Sequence, residues 1–242
     1  MTGPVMEAAS IVKDLGAGVA KIRALKGVNL TLNGGELTLL MGPSGSGKTT
    51  LLSILGCMLT PTEGVIRVRG DSIVGKSAER LARLRRENIG YVFQSYHLFP
   101  TLSALDNVRL ALDVRGEGGR AAKKKSRAAL ERVGLAAKTR NYPSQLSGGE
   151  QQRVAIARAV VGDPSVILAD EPTAALDSEN GKAIMGILAA IAKDPGRGVL
   201  VVTHDPRLIP FADRIVHIED GNIVGEEPGG AAQRPQESSG GV

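Results

Sequence analysis

Residues 36–59, "ELTLLMGPSGSGKTTLLSILGCML", decide how this chain folds. "ELTLLM" (36–41) is a short apolar run that reads as a buried strand, and "KTTLLSILGCML" (48–59) reads as a helix. Between them "GPSGSGKT" (42–49) matches G-x-x-x-x-G-K-[ST], with the strand before it and the helix after it that the pattern requires. Gly42, Gly45 and Gly47 let the backbone turn tightly, so that several amide N–H groups face one anion. The positive end of the helix points at the same place. Lys48 supplies a full charge for the outer phosphates of a nucleotide. The Thr49 hydroxyl is placed for Mg²⁺, which prefers hard oxygen ligands. Gly42, Pro43, Ser44, Gly45, Ser46, Gly47, Lys48, Thr49 and Thr50 are therefore the candidate phosphate-binding residues.

On either side, short Val/Ile/Leu runs alternate with helical patterns. "GVIRVRG" (64–70) alternates like a half-exposed strand, and "SAERLARLRREN" (77–88) is helical. "IGYVF" (89–93), "SVILAD" (165–170) and "GVLVVT" (198–203) read as buried strands. "DRIVHIEDGNIVGE" (213–226) holds two alternating runs around Asp220-Gly221, a hairpin signal. These elements predict an α/β fold with a largely parallel sheet and antiparallel additions at its two ends. Residues 104–162 show only helical stretches, so a helical subdomain is expected between two strands of the sheet. Its run "RAAKKKSR" (120–127) reads as a solvated helix face. The segment from Glu227 onward has almost nothing to bury and is expected to be disordered.

The totals agree. A chain of 242 residues with 42% hydrophobic residues can build one large domain or a domain with a subdomain. A net charge of +5 suits polyanionic ligands or an anionic surface and decides neither. The single cysteine, Cys57, excludes an intrachain disulfide. No apolar run approaches the ~18–20 residues needed to span a bilayer, and the N-terminus lacks the features of a signal peptide. A cytoplasmic location is expected, with any membrane role exerted through a partner.

A nucleotide site that performs chemistry needs carboxylates at the end of a neighbouring strand, and "VILADE" (166–171) provides them. Asp170 is the candidate for the metal and Glu171 for polarising an attacking water. His204, after "GVLVVT", is placed to hydrogen-bond a γ-phosphate. The amide of Gln94, after "IGYVF", can reach both Mg²⁺ and water. A second glycine-rich helix start, "LSGGEQQR" (146–153), carries the capping box Ser147–Glu150. A cap does not need two glycines. Gly148 and Gly149 clear the surface faced by the helix dipole, so this helix can finish a phosphate site begun elsewhere.

"LSGGEQQR" resembles the signature of ATP-binding cassette (ABC) ATPases. The phosphate loop at 42–49, Gln94, "VILADE", "AALD" (174–177) and His204 follow in that family's order, and the resemblance covers roughly residues 5–225. It implies a P-loop NTPase fold with a mixed sheet core, antiparallel β additions and an inserted helical subdomain. A single cassette domain would span 1–226, with its core at about 1–95 and 163–226, the helical subdomain at about 96–162 and a disordered tail at 227–242. ATP and Mg²⁺ are the implied ligands, with Thr49, Gln94 and Asp170 on the metal. Two copies would pack head to tail, each ATP held between one phosphate loop and the partner's signature, so that Ser147, Gly148, Gly149 and Glu150 act in trans. Asp177 would lie at the dimer contact. Glu171 would be the base, with His204 and Gln94 positioning water and phosphate.

Within the family, "GPSGSGKTTLLSILGCMLTPTEG" and "QSYHLFPTLSALDNV" are similar to the macrolide-export (MacB), lipoprotein-release (LolD), glycolipid-export (DevA) and division-associated (FtsE) cassettes. That implies integral membrane permease partners, with a periplasmic adaptor or envelope component. Contact would run through a surface that includes Tyr96, His97, Leu98 and Phe99. The FtsE-like alternative is a regulatory ATPase acting on cell-wall hydrolases. A nucleic-acid role is disfavoured. Lys48 and Ser147 stand 99 residues apart, too close for a long coiled-coil insertion. Only one cassette is present, and one cysteine cannot build a zinc module. In one respect the chain departs from the pattern: family members usually stack adenine on an aromatic ring before the phosphate loop, yet the first aromatic here is Tyr91. Leu15 occupies the matching place and is the candidate support for the base.

Overall fold

The computed structural model describes residues 3–16 and 21–232. Sixteen elements follow in the order β1 (Pro4–Leu15), β2 (Ile22–Asn33), β3 (Leu37–Met41), α1 (Lys48–Leu55), β4 (Glu63–Val68), β5 (Asp71–Ser72), α2 (Ala78–Asn88), β6 (Ile89–Val92), α3 (Ala104–Asp113), α4 (Gly119–Arg132), α5 (Gly148–Val160), β7 (Val166–Asp170), α6 (Ser178–Ala192), β8 (Gly198–Thr203), β9 (Arg214–Glu219) and β10 (Asn222–Pro228). They form two sheets, an antiparallel one ordered β2-β1-β4-β5 and a mixed one ordered β10-β9-β3-β8-β7-β6. In the mixed sheet β9, β3, β8, β7 and β6 are parallel, and β10 pairs antiparallel at the edge.

The apolar runs of β3, β7 and β8 are continuous because both faces of the sheet are covered. Leu39, Met41, Ile167, Ala169, Val199 and Val201 point to one side, with Ile184, Met185 and Leu188 of α6. Leu40, Leu168, Leu200 and Val202 point to the other, where α1 (Leu51, Leu52, Ile54, Leu55) and the antiparallel sheet (Met6, Ile11, Leu25, Ile66) complete a second core. Burying one such side chain contributes about 1.5–3 kcal/mol, so the sheet is the rigid frame that fixes its loops. Helices α3, α4 and α5 pack on one another between β6 and β7. Among the described residues no helix is long and apolar enough to cross a membrane.

The structure differs from expectation at two points. The antiparallel additions are present as expected, but the individual strands β1 and β2 were not foreseen, because register shifts between Ala8 and Ile11 and on to Val12 break their apolar alternation. The segment assigned to a disordered tail does not begin at Glu227. Glu227 and Pro228 pair with Ile215 and Arg214 in β10, and the Gly229 amide donates to the Asp213 carbonyl at 2.9 Å. Backbone ladder bonds and a His217–Glu227 contact at 2.9 Å hold this polar stretch, and composition carries no signal for either. Residues 233–242 of that expectation lie outside the described residues.

Candidate nucleotide site

Since β3, β6, β7, β8 and β9 run parallel, their carboxyl ends open on one edge of the sheet, where α/β proteins place ligands. The loops leaving that edge carry Gly42, Gln94, Glu171, His204 and the Asp220-Gly221 turn. A cavity of about 630 Å³ opens there. Its lining includes Ser44, Gly45, Gly47, Lys48, Thr49, Thr50, Gln94, Asp170, Glu171 and His204.

The loop's conformation explains its glycines. Gly45 and Gly47 have φ of 81° and 100°, in the left-handed region that side chains avoid. A Cβ on Gly42 would sit 2.0 Å from the Ile218 carbonyl oxygen, so β9 excludes any larger residue there. Gly47 precedes α1, and no side chain caps the helix. Its first amides are thus left for an external anion. Lys48 is nearly buried and donates from Nζ to the carbonyls of Gly42 and Pro43, both at 2.7 Å. The Ser46 hydroxyl is buried in the loop with no hydrogen-bond partner among the described residues, a polar group whose burial costs free energy unless a ligand satisfies it.

At the end of β7, burial first and the Glu171 charge second raise the Asp170 pKa, while Lys48 opposes them. Glu171 has φ of 44°, an uncommon value for a side-chain-bearing residue, and its amide donates to the Val202 carbonyl at 3.0 Å. Such strain persists only where the surroundings enforce it. His204 Nδ1 lies 2.7 Å from Glu171 Oε1. A carboxylate only accepts, so Nδ1 carries the proton of this bond, and Nε2 has no partner among the described residues.

The second glycine helix lies elsewhere. Ser147 caps α5, accepting from the Glu150 amide at 3.3 Å while the Glu150 carboxylate accepts from the Ser147 amide at 2.9 Å. That backbone bond holds the Glu150 carboxyl below its usual range, helped by Lys138. Ser147 is exposed, Gly148 half-buried and Gly149 buried. None of these residues lines the cavity of its own chain. A Cβ on Gly149 would meet Asn180 Oδ1 at 2.6 Å, and Asp177 locks Asn180 through a side-chain bond of 2.7 Å while capping α6. Asp177 is exposed and also stands away from the cavity.

Leu15 lines the cavity mouth with Ile22, Arg23 and Ala24. Leu15 and Ile22 are 40% and 69% exposed, high for large apolar side chains. Arg23 is fixed by Asp14, whose carboxyl is held at about 2 by hydrogen bonds from Arg23 and Lys21. Ile22, Arg23 and Ala24 are not among the expected site residues, and Asp220 is expected only as a hairpin turn, since only strand pairing brings them to the phosphate loop. Of the four candidate partner contacts, Leu98 packs on the core and Phe99 is half-exposed. The Tyr96 hydroxyl faces Gly148, and the His97 ring lies against Phe93 at 4.6 Å.

The ABC transporter family model matches residues 25–174, well over half of the chain. The chain belongs to the ABC transporter family. The cassette is 45% identical over 226 residues to an Aeromonas hydrophila protein named macrolide export ATP-binding/permease protein MacB 1, covering 93% of this chain and 35% of that one. The Escherichia coli K12 protein named MacB is 44% identical, with the same coverage of both chains. This chain thus spans about a third of the length of these curated relatives. Among solved structures, the ATP-binding cassette MJ0796, dimeric and bound to ADP and Pi after hydrolysis, is 41% identical. It superposes with a TM-score of 0.84 over 92% of this chain and 98% of its own. The fold is that of a P-loop ABC ATPase, with a mixed sheet and added antiparallel strands.

Proposed function

We propose that this cassette hydrolyses ATP with Mg²⁺ and drives export or envelope extraction through membrane permease subunits. It would act peripherally on the inner face of the membrane, as one cassette domain whose α3–α5 lobe moves against the sheet core. The observation that carries the reading is a divided site. One chain gathers the phosphate loop, Asp170, Glu171, His204 and Gln94 around a cavity, and leaves the Ser147–Gly149 helix start outside it. Closure of two copies head to tail would bring the partner's helix start onto the γ-phosphate.

Thr49, Gln94 and Asp170 offer a hydroxyl, an amide oxygen and a carboxylate around the cavity. This set suits Mg²⁺ held with water and phosphate oxygens. Among the described residues no cluster of three carboxylate, imidazole or thiol side chains forms a protein cage for a metal. When bound, the ion neutralises charge on the phosphates. Glu171 polarises the attacking water, and His204 and Gln94 hold it in line. Turnover per molecule should therefore rise with protein concentration as pairs form. A dilute, unpaired protomer working at full speed would contradict the reading. Isolating the complex from membranes and identifying its permease separates transport from the FtsE-like regulatory alternative.

The base is held by aliphatic surface at Leu15 and Ile22. Apolar contact reads shape and not hydrogen bonds, so KM for ATP and GTP should agree within about tenfold. Leu15→Phe should tighten nucleotide binding about 2- to 10-fold through stacking. Equilibrium titration with both nucleotides checks this, and a strong ATP preference in the unaltered chain would refute it.

A further inference from the structure

Helix α5 carries the second glycine start, and it also reaches the segment that follows Glu171. Gln152, in its second turn, is wholly buried. Its Nε2 donates to the Pro172 carbonyl at 2.8 Å, and its Oε1 has no partner among the described residues. The amide orientation follows from the bond, since a carbonyl can only accept. Pro172 is the next residue after Glu171, whose φ of 44° must be enforced by its neighbours. Two bonds bracket that residue: the Glu171 amide to Val202, and the Pro172 carbonyl to Gln152. The first comes from the rigid sheet. The second comes from the helix whose N-terminus is Ser147-Gly148-Gly149.

We propose that Gln152 is a positioning residue for Glu171, tying the carboxylate's backbone to the helix that presents Ser147. The inference rests on the reading of Glu171 as the base. It gives α5 two tasks. Its N-terminus meets a partner's nucleotide, and its second turn sets the carboxylate of its own chain, so a shift of the helix on closure is felt at Glu171. Among the described residues the amide's one hydrogen bond is to the carbonyl that follows Glu171, so its geometric effect falls on that strand end.

The test is Gln152→Met, which keeps volume and removes both the donor and the orphaned acceptor. The lost bond and the relieved acceptor offset each other, so the melting temperature should stay near that of the unaltered chain. ATP affinity and KM should hold, because the phosphate loop is untouched. The kcat should fall on the order of 10- to 100-fold, the scale of a misplaced catalytic group. Gln152→Leu, which likewise cannot donate, serves if the Met variant folds poorly. In a Glu171→Gln background, Gln152→Met should cause no further loss, because two residues acting through one step are not additive. Undiminished kcat overturns the proposal, as does an equal loss in both backgrounds or a fall explained by unfolding alone. A Glu171→Gln chain that keeps full turnover removes the underlying reading instead, and the proposal with it.

Discussion

Glu171→Gln should bind ATP as well as the unaltered chain does and lose about 100-fold or more of its turnover, the range that one general base supplies. The substitution is nearly isosteric, and the glutamine oxygen can still accept from His204 Nδ1–H, so the strand end keeps its shape. The charge change also acts on the neighbour. Asp170 is held above the usual carboxylate range by burial first and by the Glu171 charge second. Removing that charge lowers the Asp170 pKa, so the substitution leaves the neighbouring metal carboxylate in its charged form. Binding and hydrolysis should therefore part company. Nucleotide and metal stay, chemistry stops, and the ATP-closed pair accumulates. Size-exclusion chromatography with ATP should show a long-lived dimer, and single-turnover measurements should show the slow step at cleavage. Undiminished turnover would remove Glu171 from the role of base.

How much of this was legible in the sequence follows from how local each interaction is. The phosphate loop is contiguous, and both its glycines and its flanking elements can be read in a row. The Ser147–Glu150 box spans four residues, and its two bonds form as the spacing predicts. The hairpin at Asp220-Gly221 is equally local, with φ of 44° and 76° at its two turn residues. What went unread depends on pairing across long sequence separations. Ile22 and Arg23 reach the cavity only because β1 and β2 pair as a ribbon, with Leu15 opposite Ile22. The Gln152–Pro172 bond joins residues twenty apart across a strand, and nothing in "GGEQQR" marks which glutamine turns inward beyond its place in the helical period. The β10 residues Glu227 and Pro228 look like tail because their contribution is backbone bonding, to which composition is blind.

Lys48→Ala should abolish measurable nucleotide binding while leaving the apo fold standing. Lys48 Nζ bonds two loop carbonyls, those of Gly42 and Pro43, and it is the one cation of the phosphate loop. With a triphosphate bound, its charge would be shared with the outer phosphates. Each charge-assisted bond to a phosphate oxygen is worth about 1.5–3 kcal/mol, so losing two of those weakens binding roughly 100-fold or more. The loop itself is held by other means. Gly42 packs on the Ile218 carbonyl, and the Gly221 amide donates to the Ser46 carbonyl at 3.0 Å. The apo melting temperature should thus change little, and the effect should appear only when ligand is added. At about 100 times Kd, ATP stabilises a binding-competent chain by about 2.7 kcal/mol, a rise of roughly 5–10 °C for a domain of this size. The variant should show no such rise at the same concentration. Lys48→Arg should do little better, because the side chain is almost fully enclosed and a guanidinium is bulkier than an ammonium. A full ATP-dependent rise in Lys48→Ala would mean that backbone amides and the helix dipole hold the phosphates without a fixed charge. The loop would then be a neutral anion cradle, with Lys48 serving only to close it.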